Sequence, residues 1–171
     1  MGKGQLFSYD ILFASVFLVF TLSLFVLTAN NISSQIGDAE ARMKMGGAAQ
    51  DAADALVRTP GDPSNWQLQP VDENATRSLG LAMRPGELDP AKVSTFFAIA
   101  NGSAQYDSTI YLLALTSGSY RYNASIELFN GTVLYSLPRY PPSAPVRTVA
   151  VERFAMLNGT VVRFKMVIWD E

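Results

Sequence analysis

The sequence predicts an α+β protein in which a long N-terminal hydrophobic helix leads into an antiparallel sheet of about four strands with one or two short helices. Two observations predict this fold. An uncharged apolar run at residues 11–27 is followed by a proline-free, alanine-rich stretch that reaches Arg58. In residues 119–171, two pairs of alternating segments each surround an Asn-Gly dipeptide, which is a strong signal for a β-hairpin.

The apolar run is long enough to cross a membrane as a helix. At about 1.5 Å per residue it would be roughly 25 Å long, close to the hydrocarbon core of a bilayer, which is roughly 30 Å thick. The apolar part of a secretory leader is usually about 7–15 residues long and ends at an A-x-A-like cleavage site. This run is longer and ends in "LTANN". A retained helix is therefore favoured over a conventionally cleaved leader.

The charges that flank the run predict its orientation. Lys3 and the amino terminus carry the positive charges before it, and the next positive charge is Arg42. Because positive flanks stay on the cytoplasmic side, we expect the N-terminus inside and the C-terminus outside the cytoplasmic membrane.

Three phenylalanines are spaced along one side of the predicted helix. Phe13, Phe17 and Phe20 follow each other at intervals of four and three, which places them on one helical face. Two interpretations fit this pattern: a stripe that faces lipid, or a packing surface against identical helices.

The segment "KGQLFSYDILFA" resembles the class III signal peptide of archaeal type IV pilins and pilin-like proteins. In that family a short basic leader ends in Gly, the mature chain begins at Gln, and an acid lies just before the apolar helix. The resemblance implies cleavage by a prepilin peptidase between Gly4 and Gln5, next to Lys3, so that the helix is retained. The segments "ADALVRTPGDPSNW" and "LGLAMRPGELDPAKV" also look like those that follow the long helix in these proteins. A type IV pilin-like fold is the architecture that this resemblance implies.

Asp10 is the acid that corresponds to this pattern. It lies one residue further from the implied cut than in the common family pattern, because "LFS" stands where one residue usually precedes Ser. A carboxylate at the lipid boundary is costly unless it meets a cation. The resemblance implies that the free α-amine of a neighbouring subunit supplies one and fixes the subunit register. The alternative is that Asp10 lies in the headgroup layer near the helix N-terminus, where acids are favoured.

We predict four regions along the chain. They are a leader peptide at 1–4, a transmembrane or filament-core helix at 5–29, an extension of this helix at 30–60, and an extracytoplasmic α+β globular domain at 61–171. The extension carries a rough apolar stripe with helical spacing, and "TPGDP" ends it.

The globular domain begins with a turn-rich segment, residues 62–90. "LDPAKVSTFFAIANG" then predicts a short helix that Asp89 caps, with Pro90 in its first position. A second short helix is predicted from Ser103 to Leu115, although "TIYLLAL" is also compatible with a strand. In the last strand we expect Val162, Phe164, Met166 and Ile168 to face the core.

Six of the eight asparagines begin the N-glycosylation signal N-x-[ST], where chance predicts about one. They are Asn31, Asn74, Asn101, Asn123, Asn130 and Asn158, and all of them follow the apolar run. This supports an extracytoplasmic domain independently of the resemblance. The alternative is conformational, because Asn101, Asn130 and Asn158 each precede Gly and suit a turn.

Neither catalysis nor a metal site is indicated. The chain has no Cys and no His, a net charge of −2, and 16% charged residues. A cysteine zinc site is thus excluded, and the commonest acid–base catalyst at neutral pH is missing. No calcium-loop, phosphate-loop or G-x-S-x-G motif occurs. We expect no enzyme activity, no cofactor and no nucleic-acid partner.

The function implied by the resemblance is structural. The chain would be a subunit, or a minor or accessory component, of an archaeal type IV pilus-like surface filament that serves adhesion or surface contact. Its partners would be prepilin peptidase, the pilus assembly machinery and other pilin subunits. The alternative is a permanently membrane-anchored extracytoplasmic binding module that does not polymerise.

Overall fold

A computed structural model of the protein describes residues 3–71, 75–116, 119–139 and 147–170. The chain divides into two compact units, Met1–Ala41 and Arg42–Glu171. Helix α1 (Lys3–Arg58) begins in the first unit and ends in the second. The fold is α+β, as predicted, and α1 ends at the residue at which the sequence pattern ends.

The remaining elements all belong to the second unit. In chain order they are a 3₁₀ turn (Trp66–Leu68), β1 (Ala82–Arg84), β2 (Glu87–Leu88), α2 (Pro90–Asn101), α3 (Ser103–Leu112), β3 (Tyr120–Leu128), β4 (Val133–Ser136), β5 (Thr148–Leu157) and β6 (Thr160–Asp170). Both predicted short helices are therefore present, and "TIYLLAL" belongs mainly to a helix.

Within the described residues, six strands form one sheet in the order β1-β2-β5-β6-β3-β4. Neighbours are antiparallel except β2 and β5, which run parallel, so the sheet is mixed. The prediction of an antiparallel sheet of about four strands was correct for β3–β6 and missed β1 and β2. These two strands have three and two residues, which is too short to show a period of two.

The two predicted hairpins differ in their turns. In β5–β6, Asn158 and Gly159 have φ values of 52° and 76°, and Leu157 pairs with Thr160, which is the expected two-residue turn. In β3–β4 the turn is longer. Gly131, with φ of 87°, donates its N–H to Leu128 O at 2.9 Å.

The core of the second unit lies between the inner face of the sheet and the helices. The predicted inward positions of β6, Val162, Phe164, Met166 and Ile168, are all fully buried. Residues from the last turns of α1 belong to the same core: Met45, Ala49, Ala52, Ala53, Leu56 and Val57. Arg153 of β5 also pairs with Asp54 of α1, with Nε 2.7 Å from Oδ1. Apolar burial and the ion pair between Asp54 and Arg153 thus join helix and sheet.

The segment that follows α1 packs closely against the end of the helix and against itself. Leu81 N donates to Leu56 O at 2.7 Å, so a carbonyl that the helix leaves open has a partner. Gly61 has φ of 82°, and a Cβ there would lie 2.7 Å from Trp66 Cδ1. Trp66 is fully buried and donates its Nε1–H to Gly80 O at 2.9 Å. Glycine is therefore required at position 61 by both conformation and space.

Helix α2 begins as predicted. The Asp89 side chain accepts a hydrogen bond from Ala91 N at 2.8 Å, and Pro90 occupies the first turn, where no N–H is needed.

A tyrosine hydroxyl completes the hydrogen bonding of β3. β4 pairs with β3 only at residues 125–127. At Tyr122, the Tyr106 hydroxyl of α3 donates to the carbonyl at 2.6 Å and accepts from the N–H at 2.7 Å. The two rings stack with centroids 5.0 Å apart, and the Tyr122 hydroxyl lies 2.6 Å from Thr109 Oγ1. A side chain thus takes the place of a neighbouring strand.

Removing this hydroxyl should destabilise the second unit. In Tyr106→Phe, the N–H and carbonyl of Tyr122 lose their partner while ring packing is kept. We expect a loss of about 1–3 kcal/mol of unfolding free energy, the cost of leaving buried polar groups unsatisfied. Denaturation of the full-length chain in detergent, followed by tryptophan fluorescence, measures it. Tyr111→Phe is the control, because Tyr111 is 53% exposed. Equal stability of the two variants would contradict this role.

Candidate functional site

The N-terminal part of α1 presents apolar side chains all around the helix. Every residue from 9 to 40 is exposed within the chain, and Phe13, Phe17 and Phe20 are 69%, 72% and 60% exposed. By length and composition alone, α1 is the one helix among the described residues that could cross a membrane. An apolar surface of this extent marks a contact with lipid or with another protein.

The hydroxyl groups within this apolar surface have partners inside the helix. Ser15 donates to Leu12 O, Thr21 to Phe17 O, and Ser23 to Val19 O, each at 2.8 Å. Each of these three O–H groups donates to a carbonyl of its own helix and needs no water as acceptor. The hydroxyls therefore do not prevent burial of the helix in an apolar environment.

Asp10 lies at the start of this surface and is exposed. At helical spacing it shares a face with Phe13 and Phe17, three and seven residues further on. The predicted processing residues Lys3, Gly4 and Gln5 lie in the first turn of α1. Their side chains are outside the described part of the structure.

The six glycosylation signals fall in different environments. Asn31 on α1 and Asn101 at the end of α2 are exposed, as are Asn130 and Asn158 in the hairpin turns. Asn123 is half-buried on β3, and its Nδ2 donates to Leu137 O at 3.0 Å and also to Arg139 O. Asn74 lies outside the described residues. The amide nitrogen that a glycan needs is thus already engaged at Asn123.

The outer face of the sheet carries a row of charged side chains. Arg163 of β6 lies between two carboxylates. Its Nη2 is 2.6 Å from Oε2 of Glu127 on β3, and its Nη1 is 3.8 Å from Oε2 of Glu152 on β5. The hydrogen bond from Arg163, helped by one from Ser125 at 3.0 Å, holds the pKa of Glu127 below its usual value of 4.5, although partial burial opposes this. This face is therefore polar and internally paired at its centre.

The same face becomes apolar towards the turns. Phe129, which follows β3, and Phe154 of β5 stack with ring centroids 5.5 Å apart and planes 14° apart. They are 69% and 60% exposed. Met156 and Val161, directly paired across β5 and β6, are 43% and 46% exposed beside them. We call Phe129 and Phe154 the aromatic pair.

The described residues contain no cluster of three or more His, Cys, Asp or Glu side chains that could hold a metal ion. Burial raises the pKa of Tyr122, and it also raises that of Tyr106, so both hydroxyls remain protonated at neutral pH. The Tyr106 hydroxyl bonds to the backbone of Tyr122, and the Tyr122 hydroxyl bonds to Thr109 Oγ1, so both hydroxyls are structural.

Sequence reasoning missed a buried lysine. Lys92 of α2 is 4% exposed, and its Nζ donates to Pro60 O at 2.8 Å and to Ala82 O at 3.3 Å. Burial lowers the pKa of Lys92. A lysine with a lowered pKa is a common nucleophile. Here the amine is enclosed and bonded to two carbonyls, so it ties α2 to the segment after α1. Its position four residues before Phe96, and so on the same helical face as that fully buried ring, was the available signal.

No protein-family model, no curated protein and no solved structure matches this chain. The candidate surfaces are therefore defined by the chain's own residues.

Breaking the charged row should alter the dependence of stability on pH. The pKa of Glu127 is lower in the folded state than in the unfolded state. The contribution of Glu127 to the free energy of unfolding is therefore fully present above about pH 4.5. It is lost as the pH falls through the lowered pKa that this carboxyl has in the folded state. In Glu127→Gln, we expect the stability difference from wild type to be largest near neutral pH and to shrink below pH 4.5. Thermal unfolding between pH 3 and 7, roughly the range over which carboxylates titrate, measures it.

The control uses the partner of this carboxylate. In an Arg163→Gln background, Glu127→Gln should have a much weaker effect on the pH profile, since the hydrogen bond from Arg163 is the largest cause of the lowered pKa. The same pH profile in both backgrounds would contradict the assignment.

Proposed function

We propose that this chain is the precursor of a structural subunit, or of a minor or accessory component, of an archaeal type IV pilus-like surface filament. The role is adhesion or surface contact and is not enzymatic. The precursor lies in the cytoplasmic membrane with its N-terminus inside, and prepilin peptidase removes the residues before Gln5. Pilus assembly machinery then moves the helix from lipid into contact with other subunits at the cell surface.

One observation carries this proposal. Every residue of α1 from 9 to 40 is exposed, and the apolar run at 11–27 within this stretch carries no charge. Asp10 lies directly before the run, on the face of Phe13 and Phe17. In lipid, such a surface is solvated by acyl chains. In a filament, the same surface would pack against identical helices, and Phe13, Phe17 and Phe20 would form part of that contact. The resemblance of "KGQLFSYDILFA" to pilin leaders supports the second environment as the destination.

Asp10 distinguishes a filament helix from a plain anchor. A carboxylate at the edge of lipid is unfavourable alone and becomes favourable beside a cation. Cleavage before Gln5 would create a new α-amine five residues before Asp10 in the chain, so that Asp10 is the sixth residue of the mature protein. The proposal assigns this amine, on a neighbouring subunit, as the partner of the Asp10 carboxylate.

The mass of the mature N-terminus tests the proposal. We expect the chain purified from its native cells to begin at Gln5. Gly4→Val should leave the precursor uncut, because the resemblance places this glycine at the scissile bond, whereas Gly2→Val is the matched control and should be cut normally. A native chain that retains Met1 or Gly2 would favour the permanently anchored binding module.

Replacing the acid tests the register role separately. In Asp10→Asn, we expect membrane insertion to be unchanged and incorporation into filaments to fall by about tenfold or more, the effect of losing about 1.4 kcal/mol or more per contact. Quantitative immunoblots of membranes and of sheared filaments measure both. Asp51→Asn, an exposed carboxylate on the second-unit part of α1, is the control. Normal filament yield from Asp10→Asn would remove the register role.

A further inference from the structure

The aromatic pair is exposed on a sheet face that is otherwise polar at its centre. Phe129 and Phe154 have no cover from the described residues, since both are more than half exposed. Stacking of the two rings on each other leaves their outer surfaces in contact with solvent. An exposed aromatic patch of this kind marks a contact with another molecule.

A glycosylation signal directly follows the first of these rings. Asn130 lies in the β3–β4 turn, is exposed, and accepts a hydrogen bond from Thr132 N through Oδ1 at 2.9 Å. This bond fixes the side chain and places the oxygen towards the backbone. Among the described residues, no hydrogen bond engages its Nδ2, in contrast to Asn123, whose Nδ2 has two carbonyl partners. Asn130 therefore presents a fixed amide whose nitrogen is accessible.

We propose that Asn130 carries an N-linked glycan and that the first sugars of this glycan pack on the aromatic pair. This inference rests on the extracytoplasmic position of the second unit in the proposed function. Pyranose rings have a face of C–H bonds, which the electron-rich face of an aromatic ring attracts. The glycan would cover Phe129 and Phe154 and remove their apolar surface from water.

The bond-forming step needs a sugar donor from the cell, a polyprenyl-phosphate-linked oligosaccharide. Nδ2 of Asn130 bonds to the anomeric carbon C1 of the first sugar while the bond from C1 to the phosphate oxygen breaks. The polyprenyl phosphate leaves with the electron pair, and the proton lost from Nδ2 neutralises a base in the transferase. No oxidation or reduction occurs.

A glycan on Asn130 fits the aromatic pair better than a protein partner does. It is covalently attached one residue from Phe129, so its local concentration at the pair is high without any separate binding site. A stable protein interface uses about 20–30 residues from each partner. The exposed apolar side chains here include the aromatic pair, Met156 and Val161, with Val133 opposite Glu127. They are interrupted by the charged row of Glu127, Arg163 and Glu152, which leaves an apolar surface smaller than such an interface.

A second glycosylation signal provides a matched control at the same end of the sheet. Leu128 pairs with Val162, and Leu157 pairs with Thr160, so the turns that hold Asn130 and Asn158 both lie beyond the same ends of β3, β5 and β6. Asn158 is exposed as well, but neither of its chain neighbours, Leu157 and Gly159, is aromatic. A glycan there would not be attached next to the aromatic pair.

The experiment combines glycopeptide mass spectrometry with thermal unfolding of the full-length chain from its native cells. We expect Asn130 to be modified and Asn123 to be unmodified. Asn130→Gln should lower the Tm by about 2–4 °C, the shift that corresponds to a modest contact in a chain of this size. In a Phe154→Thr background, which leaves the glycosylation signal intact, the same substitution should shift the Tm by less than half as much. Asn158→Gln should give the same shift in both backgrounds.

Three outcomes would overturn the inference. The first is an unmodified Asn130. The second is an Asn130→Gln shift that does not depend on Phe154. The third is a loss of self-association in Phe154→Thr, measured by sedimentation, which would assign the aromatic pair to a contact between copies of the chain. The mass of the mature N-terminus is an independent readout. An intact Met1 would contradict the proposed function, whereas the glycosylation of Asn130 would be unaffected.

Discussion

The structure of the second unit depends on the burial of the last turns of α1 in the core beneath the sheet. Six apolar residues of these turns belong to that core, and three of them, Ala49, Ala52 and Ala53, are small enough for close backbone approach. Burying apolar surface stabilises a folded protein by roughly 25 cal/mol per Å², and this burial supplies the driving force for packing the helix against the sheet. The directional contacts around it, from Asp54 to Arg153 and from Leu81 to Leu56, then fix the register between helix and sheet.

Helix α1 lies in two different environments along its length. From residue 9 to 40 its side chains are exposed on all faces, and the hydroxyls of Ser15, Thr21 and Ser23 bond back to the helix. In the second unit one face belongs to a core that the chain itself provides. A single element thus requires an external apolar partner in one part and none in the other.

Much of this fold follows from local sequence signals. Residues 160–170 alternate regularly, so the buried face of β6 could be predicted, and Asp89-Pro90 marks the start of α2 through capping and fixed φ. β1 and β2 could not be predicted because strands of three and two residues carry no period. The parallel pairing of β2 with β5 depends on contacts 69 residues apart in the chain, as between Glu87 and Met156. Of the candidate surfaces, the helix face was evident from spacing. The aromatic pair was not, because Phe129 and Phe154 become neighbours only through the sheet register.

The hydroxyl of Tyr106 has a consequence for how molecules of this protein coexist at high density. An open strand edge is a template on which a strand from another chain can pair, and such pairing starts aggregation. The short β4 covers β3 only at residues 125–127, and Tyr106 occupies both backbone groups of Tyr122. The tyrosine therefore withdraws this part of the edge from intermolecular strand addition, so the sheets of crowded copies cannot join there.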